Sequence, residues 1–116
     1  MPYQPVAYNA LVWFIETPVF SHQLSRVLSD DEYRALQTAL ILRPEQGALI
    51  PGSGGLRKIR WMLRGKGKRG GLRVIYYWDS AVSVVYLLFL YSKSRQEDLT
   101  PDQSKLLKRI VQEALK

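Results

Sequence analysis

From Lys58 to Arg64 the side chains alternate in kind, with Ile59, Trp61 and Leu63 on one parity and Lys58, Arg60, Met62 and Arg64 on the other. A period of two marks a β-strand with one buried and one charged face, and it excludes a helix, whose apolar positions recur every three or four residues. The run Gly65 to Gly71 admits the positive φ angles of a hairpin connection, so Leu72 to Trp78 is expected to return antiparallel. Asp79-Ser80 turns the chain again, and the almost wholly apolar stretch Val82 to Tyr91 reads as a central strand covered on both faces. Three antiparallel strands therefore form the frame to which everything else must attach.

The flanking segments read as one strand and two or three helices. Leu11 to Ile15 is a short β-favouring run ended by Thr17-Pro18, and a short helix from about Val19 to Val27 follows. Ser29-Asp30-Asp31-Glu32 has the form of a capping box, and Tyr33, Leu36, Gln37 and Leu40 continue at helical spacing until Pro44. At the other end Thr100-Pro101-Asp102-Gln103 starts a helix with Thr100 as cap and Pro101 at its first position. Leu106, Leu107, Ile110, Val111, Ala114 and Leu115 form its apolar stripe. With no repeat or linker, residues 1–116 are expected to form a single α+β domain, helices packed on one side of a curved, mainly antiparallel sheet.

Composition narrows the chemistry. The absence of cysteine removes disulfides, thiolate nucleophiles and cysteine-based zinc sites, and no stretch has the form of a signal peptide or membrane span, so a cytoplasmic protein without membrane association is expected. A net charge of +7 favours a polyanionic partner. That charge is local: no acid occurs between Gln46 and Trp78, where Arg57, Lys58, Arg60, Arg64, Lys66, Lys68, Arg69 and Arg73 fall within seventeen positions. Any one of them is most often a solvated strand residue or a hairpin tip, but eight like charges without an intervening acid repel one another unless a polyanion or acidic partner offsets them. The acids gather at Asp30, Asp31 and Glu32 and at Glu97, Asp98 and Asp102, where they read as helix starts.

The usual catalytic sets are missing. His22 is the only histidine and reads as a surface or packing residue, no carboxylate pair is expected beside the basic strands, and no metal or other cofactor is indicated. A basic surface can still cleave RNA, because the 2′-hydroxyl is an internal nucleophile beside the scissile phosphate. The protein must align it, stabilise the charge that develops on phosphorus and help move a proton. Arginine suits the first two tasks through its two-pronged grip on phosphate, and lysine can take part in proton transfer.

The run Pro51-Gly52-Ser53-Gly54-Gly55-Leu56-Arg57-Lys58-Ile59-Arg60, followed by Gly65-Lys66-Gly67-Lys68-Arg69-Gly70-Gly71-Leu72-Arg73-Val74-Ile75-Tyr76-Tyr77, resembles the central hairpin of HigB-type toxins in the RelE/ParE superfamily. Leu28 to Tyr33 upstream, and Leu87 through Tyr91 to Lys93 with Asp98-Leu99-Thr100 downstream, resemble the same proteins in the same order. The likeness extends from about Phe14 to the C-terminus.

This resemblance implies a RelE-like fold and a type II toxin that cleaves messenger RNA on the ribosome, inhibiting translation. It also implies an antitoxin with a helix-turn-helix domain, through which the toxin–antitoxin complex would bind its operator DNA. Carried over position by position, the catalytic set is Lys58 and Arg60 on one strand, Arg73 on the next, and Lys93 after the last. Arg57, Arg64, Lys66, Lys68, Arg69 and Arg95 are expected to bind RNA. The family's Gly-Lys-Arg-like stretch is Ser92-Lys93-Ser94-Arg95 here, and the tail tyrosine that RelE uses as a proton acceptor falls at about Thr100, leaving Lys58 or Tyr91 for that task. Two alternatives share the resemblance: a ParE-like poison of DNA gyrase, and a non-catalytic module that binds RNA or the antitoxin.

Overall fold

The computed structural model describes residues 2–3, 12–62 and 71–115. Nine elements follow one another: β1 (Pro2–Tyr3), β2 (Trp13–Glu16), α1 (Pro18–Val27), α2 (Asp30–Leu42), β3 (Ala48–Leu49), β4 (Arg57–Met62), β5 (Gly71–Asp79), β6 (Val84–Ser92) and α3 (Pro101–Ala114). They build one mixed six-stranded sheet in the order β1-β2-β6-β5-β4-β3. The β4–β5–β6 meander is antiparallel throughout, as the alternation requires, whereas β2 runs parallel to β6. The chain is thus α+β, and the two-residue strands β1 and β3 at its edges carry no sequence pattern of their own.

The helices begin where local chemistry starts them. Ser29 Oγ accepts from Glu32 N while Glu32 returns a bond to Ser29 N, so both exposed backbone donors are satisfied at the head of α2. Thr100 and Gln103 do the same for α3, with Pro101 in the first turn where its missing N–H costs nothing. Thr17 caps α1 by accepting from Phe20 N, and its hydroxyl donates to Leu88 O at 2.8 Å, which ties the helix start to β6. The β5–β6 turn is closed by Ala81 N donating to Asp79 Oδ1.

Strand alternation divides the core in two. Ile59, Leu72, Val74, Tyr76, Val85, Leu87 and Leu90 face Phe20, Leu28, Leu36 and Leu40 from α1 and α2. Ile75, Leu88 and Tyr91 point the other way and meet Leu107 and Val111 of α3. The register of β5 on β6 slips after Ile75↔Phe89 to Tyr76↔Leu87, leaving Leu88 as the extra residue of a bulge. That bulge lets Leu88 and Phe89 both serve the α3 side.

The helices are therefore not all on one side of the sheet: α3 covers the face opposite α1 and α2. The stripe on α3 is narrower than its sequence pattern, since Leu107 and Val111 are buried while Leu106 and Leu115 are exposed. Among the described residues no helix is long and apolar enough to cross a membrane.

Candidate functional site

Pairing in the central meander aligns the basic residues. Arg60 stands directly opposite Arg73, and Lys58 opposite Ile75, so all three basic side chains rise from the face that α3 packs on. Directly opposed like charges destabilise a strand pair, so the arrangement calls for an anion between them. α3 covers one end of this face and leaves the other open. There Lys58, Arg60, Arg73, Lys93, Glu97 and Asp98 line a depression of about 260 Å³.

Arg73 is the most telling of these groups. It is 8% exposed, yet its guanidinium makes no hydrogen bond or ion pair with any described residue. Its side chain lines the depression, so an anion that enters can bond the guanidinium without first displacing a hydrogen-bond partner. Arg60 and Lys93 are exposed at the rim. Lys58 is held instead by Asp98, Nζ to Oδ1 at 2.9 Å, with side chains 24% and 72% exposed. The bond from Lys58, reinforced by its charge and by Arg73 and Arg60, holds the Asp98 carboxyl below its ordinary range.

Two carboxylates therefore stand in the cationic cluster, where the sequence pattern predicted none. Asp98 and Glu97 are not merely helix starts. The segment after β6 must cross the open end of the basic face to reach α3, and it carries both acids there. The side of the sheet that α3 occupies was the signal that would have located them, and local composition does not reveal it.

Tyr91 lies beneath this cluster, paired with Arg73 across the β5–β6 ladder. It is 6% exposed, and its buried hydroxyl has no hydrogen-bond partner in the protein. Burial, and then the Asp98 charge, push its ionisation above the ordinary tyrosine range, with Arg73 opposing. Tyr91 thus stays protonated at neutral pH and can donate a hydrogen bond.

The other expected site residues fall elsewhere. Arg57 emerges on the α1/α2 side of β4, where its Nη1 donates to Glu45 O at 2.9 Å and Gly47 O at 2.8 Å, so it does not join the cluster. Arg95 lines a separate depression with Gln23 and Arg26. Arg64, Lys66, Lys68 and Arg69 lie outside the described residues. His22 is exposed on α1, across the sheet from the cationic face. Among the described residues, no three His, Cys, Asp or Glu side chains are grouped to hold a metal ion.

What the cluster can do follows from its parts. Opposed arginines, one buried, can grip a phosphate or a phosphorane through charge-assisted bonds, and a lysine–carboxylate pair alongside can exchange protons with the groups around it. No family model matches the chain.

Proposed function

We propose that this chain is an RNA-cleaving toxin of the RelE/HigB kind, with a RelE-like fold, acting in the cytoplasm on messenger RNA bound to the ribosome. The observation that carries the reading is the guanidinium of Arg73, without a hydrogen bond to any described residue, directly opposite Arg60 and lining one depression with Lys58 and Lys93. A cognate antitoxin with a helix-turn-helix domain would mask this face and bring the complex to operator DNA.

In this reading the scissile phosphate sits between Arg60 and Arg73, with Lys93 at the rim. The 2′-oxygen attacks phosphorus, the bond from phosphorus to the 5′-oxygen breaks, and a 2′,3′-cyclic phosphate and a 5′-hydroxyl result. The arginines hold the in-line geometry and oppose the charge that grows on the equatorial oxygens. The phosphate competes with Asp98 for Lys58. Loss of the Lys58 bond removes the main cause that holds the Asp98 pKa low, so the carboxylate becomes more basic and takes the 2′-proton. Lys58 Nζ then gives a proton to the leaving 5′-oxygen. No metal ion takes part in this scheme.

The test is to add the purified chain to a translating extract and map the ends of its messages. Discrete cuts that depend on ribosomes, and that vanish in Arg60→Ala, are the expected result. Intact messages with inhibited DNA supercoiling would replace this reading with gyrase poisoning. RNA retention without cuts would reduce the chain to a binding module.

A further inference from the structure

A second hollow adjoins the cationic depression and is not explained by phosphate binding. Its volume is about 470 Å³, within the roughly 300–1,000 Å³ of small-molecule sites, and the two hollows share Lys58 and Asp98 as a common wall. One side is the loop Leu49-Ile50-Pro51, and the other is the Leu99–Ser104 segment that leads into α3.

Both walls are built in advance. Ser53 is buried, accepts from Leu56 N at 3.0 Å and donates to Ile50 O, which fixes the loop behind Pro51. Gly54 and Gly55 have φ of +76° and +106°, a region that side chains disfavour, and a Cβ on Gly55 would lie 3.0 Å from the Tyr77 ring. Opposite, Gln96 Nε2 donates to Asp98 O at 2.8 Å and to Gln103 Oε1 at 3.0 Å, binding the approach to the capping box of α3. The Pro51-Gly52-Ser53-Gly54-Gly55 motif thus serves as a rigid wall.

The lining is apolar on its flanks, through Ile50, Pro51, Leu99 and Pro101, and polar at its inner edge. There the Tyr91 hydroxyl is a buried donor without a partner, and the Asp98 carboxylate keeps acceptor capacity beyond its Lys58 bond. We propose that this hollow receives a nucleobase of the RNA strand whose phosphate lies between Arg60 and Arg73. A base is flat and apolar on its faces, has donors and acceptors along one edge, and is tethered to a phosphate, as this hollow is joined to the cationic depression through Lys58 and Asp98. The ring carbonyl or nitrogen accepts from Tyr91, and an exocyclic amine or ring N–H donates to Asp98 Oδ2, the oxygen that does not bond Lys58. This inference rests on the phosphate reading of the neighbouring depression and names what selects the strand.

The test is a titration of the full chain, followed by amide shifts and calorimetry, with inorganic phosphate, ribose phosphate and the four nucleoside 3′-monophosphates. At least one nucleotide is expected to bind about tenfold tighter than ribose phosphate, the worth of one or two buried hydrogen bonds with apolar contact. Ser104→Phe, which fills the hollow, is expected to abolish that advantage without changing inorganic phosphate affinity. Tyr91→Phe, which keeps the ring and removes only the unpartnered hydroxyl, is expected to reduce it while the fold is retained. Nucleotides that bind no tighter than ribose phosphate would overturn the base pocket and leave the phosphate site standing. An acidic peptide that binds where nucleotides do not would overturn it in favour of a protein ligand. Failure of every phosphate compound to shift Arg73 would remove the phosphate site and the base pocket together.

Discussion

Arg73 and Tyr91 are direct partners across the β5–β6 ladder, and neither the Arg73 guanidinium nor the buried Tyr91 hydroxyl has a hydrogen bond within the described protein. Folding alone does not reward the Tyr91 hydroxyl, because a buried polar group without a bond costs desolvation without return. Its placement under the Lys58–Asp98 bridge gives it a ligand-binding sense.

The first prediction concerns Arg73. Arg73→Met is expected to change stability by less than about 1 kcal/mol, since an apolar side chain of similar length replaces a cation that makes no hydrogen bond or ion pair with any described residue. Phosphate should stabilise the wild type, by about 2.7 kcal/mol at a concentration of about 100 times its Kd, and should not stabilise the variant. Thermal unfolding with and without phosphate measures both effects. A strongly destabilised variant whose Tm still rises with phosphate would show that Arg73 is a structural residue.

A second prediction follows from the ion pair. Because Lys58 lowers the Asp98 pKa, the pair's contribution to stability is present above the carboxylate's unfolded pKa of about 3.9 and is lost as pH falls through the lower folded value. Asp98 is exposed, so the change in stability is small, but its titration is direct to observe. A carbon-detected NMR titration should place the Asp98 midpoint below the ordinary carboxylate range in the wild type and move it upward in Lys58→Met. An unchanged midpoint would mean that the bridge is not populated in solution.

A third prediction addresses the scaffold on the other face. Tyr76 Oη accepts from Gly47 N at 2.9 Å and donates to Pro44 O at 2.7 Å, fastening the connection from α2 to β3 beneath the sheet. Tyr76→Phe strands two backbone groups and is expected to cost about 1–3 kcal/mol in urea unfolding. Phosphate affinity should stay unchanged, because the cationic depression opens on the opposite face.

Much of this architecture was legible where local chemistry decides structure. The Ser29 and Thr100 caps, the Lys58–Arg60 alternation and the apolar run of β6 each depend on neighbours in the chain, and each stands where its pattern placed it. The parity of β4 already separates Arg57 from Lys58 and Arg60, and its side chain bonds Glu45 O and Gly47 O on the other face. The parallel pairing of β2 with β6, the two edge strands and the face chosen by α3 were not legible, because each depends on partners far along the chain. Asp98 was hidden for the same reason: forty positions separate it from Lys58, and only the path from β6 to α3 unites them.

The most direct measurement of the proposed chemistry uses a message with a single 2′-deoxynucleotide at an established cut site, supplied to ribosomes together with the wild-type chain. Attack by the 2′-hydroxyl on its own phosphate predicts that cleavage disappears at that position alone, while unmodified sites yield upstream ends in 2′,3′-cyclic phosphate. Continued cleavage at the deoxy position would contradict the role assigned to the Arg60–Arg73 cluster in promoting that attack.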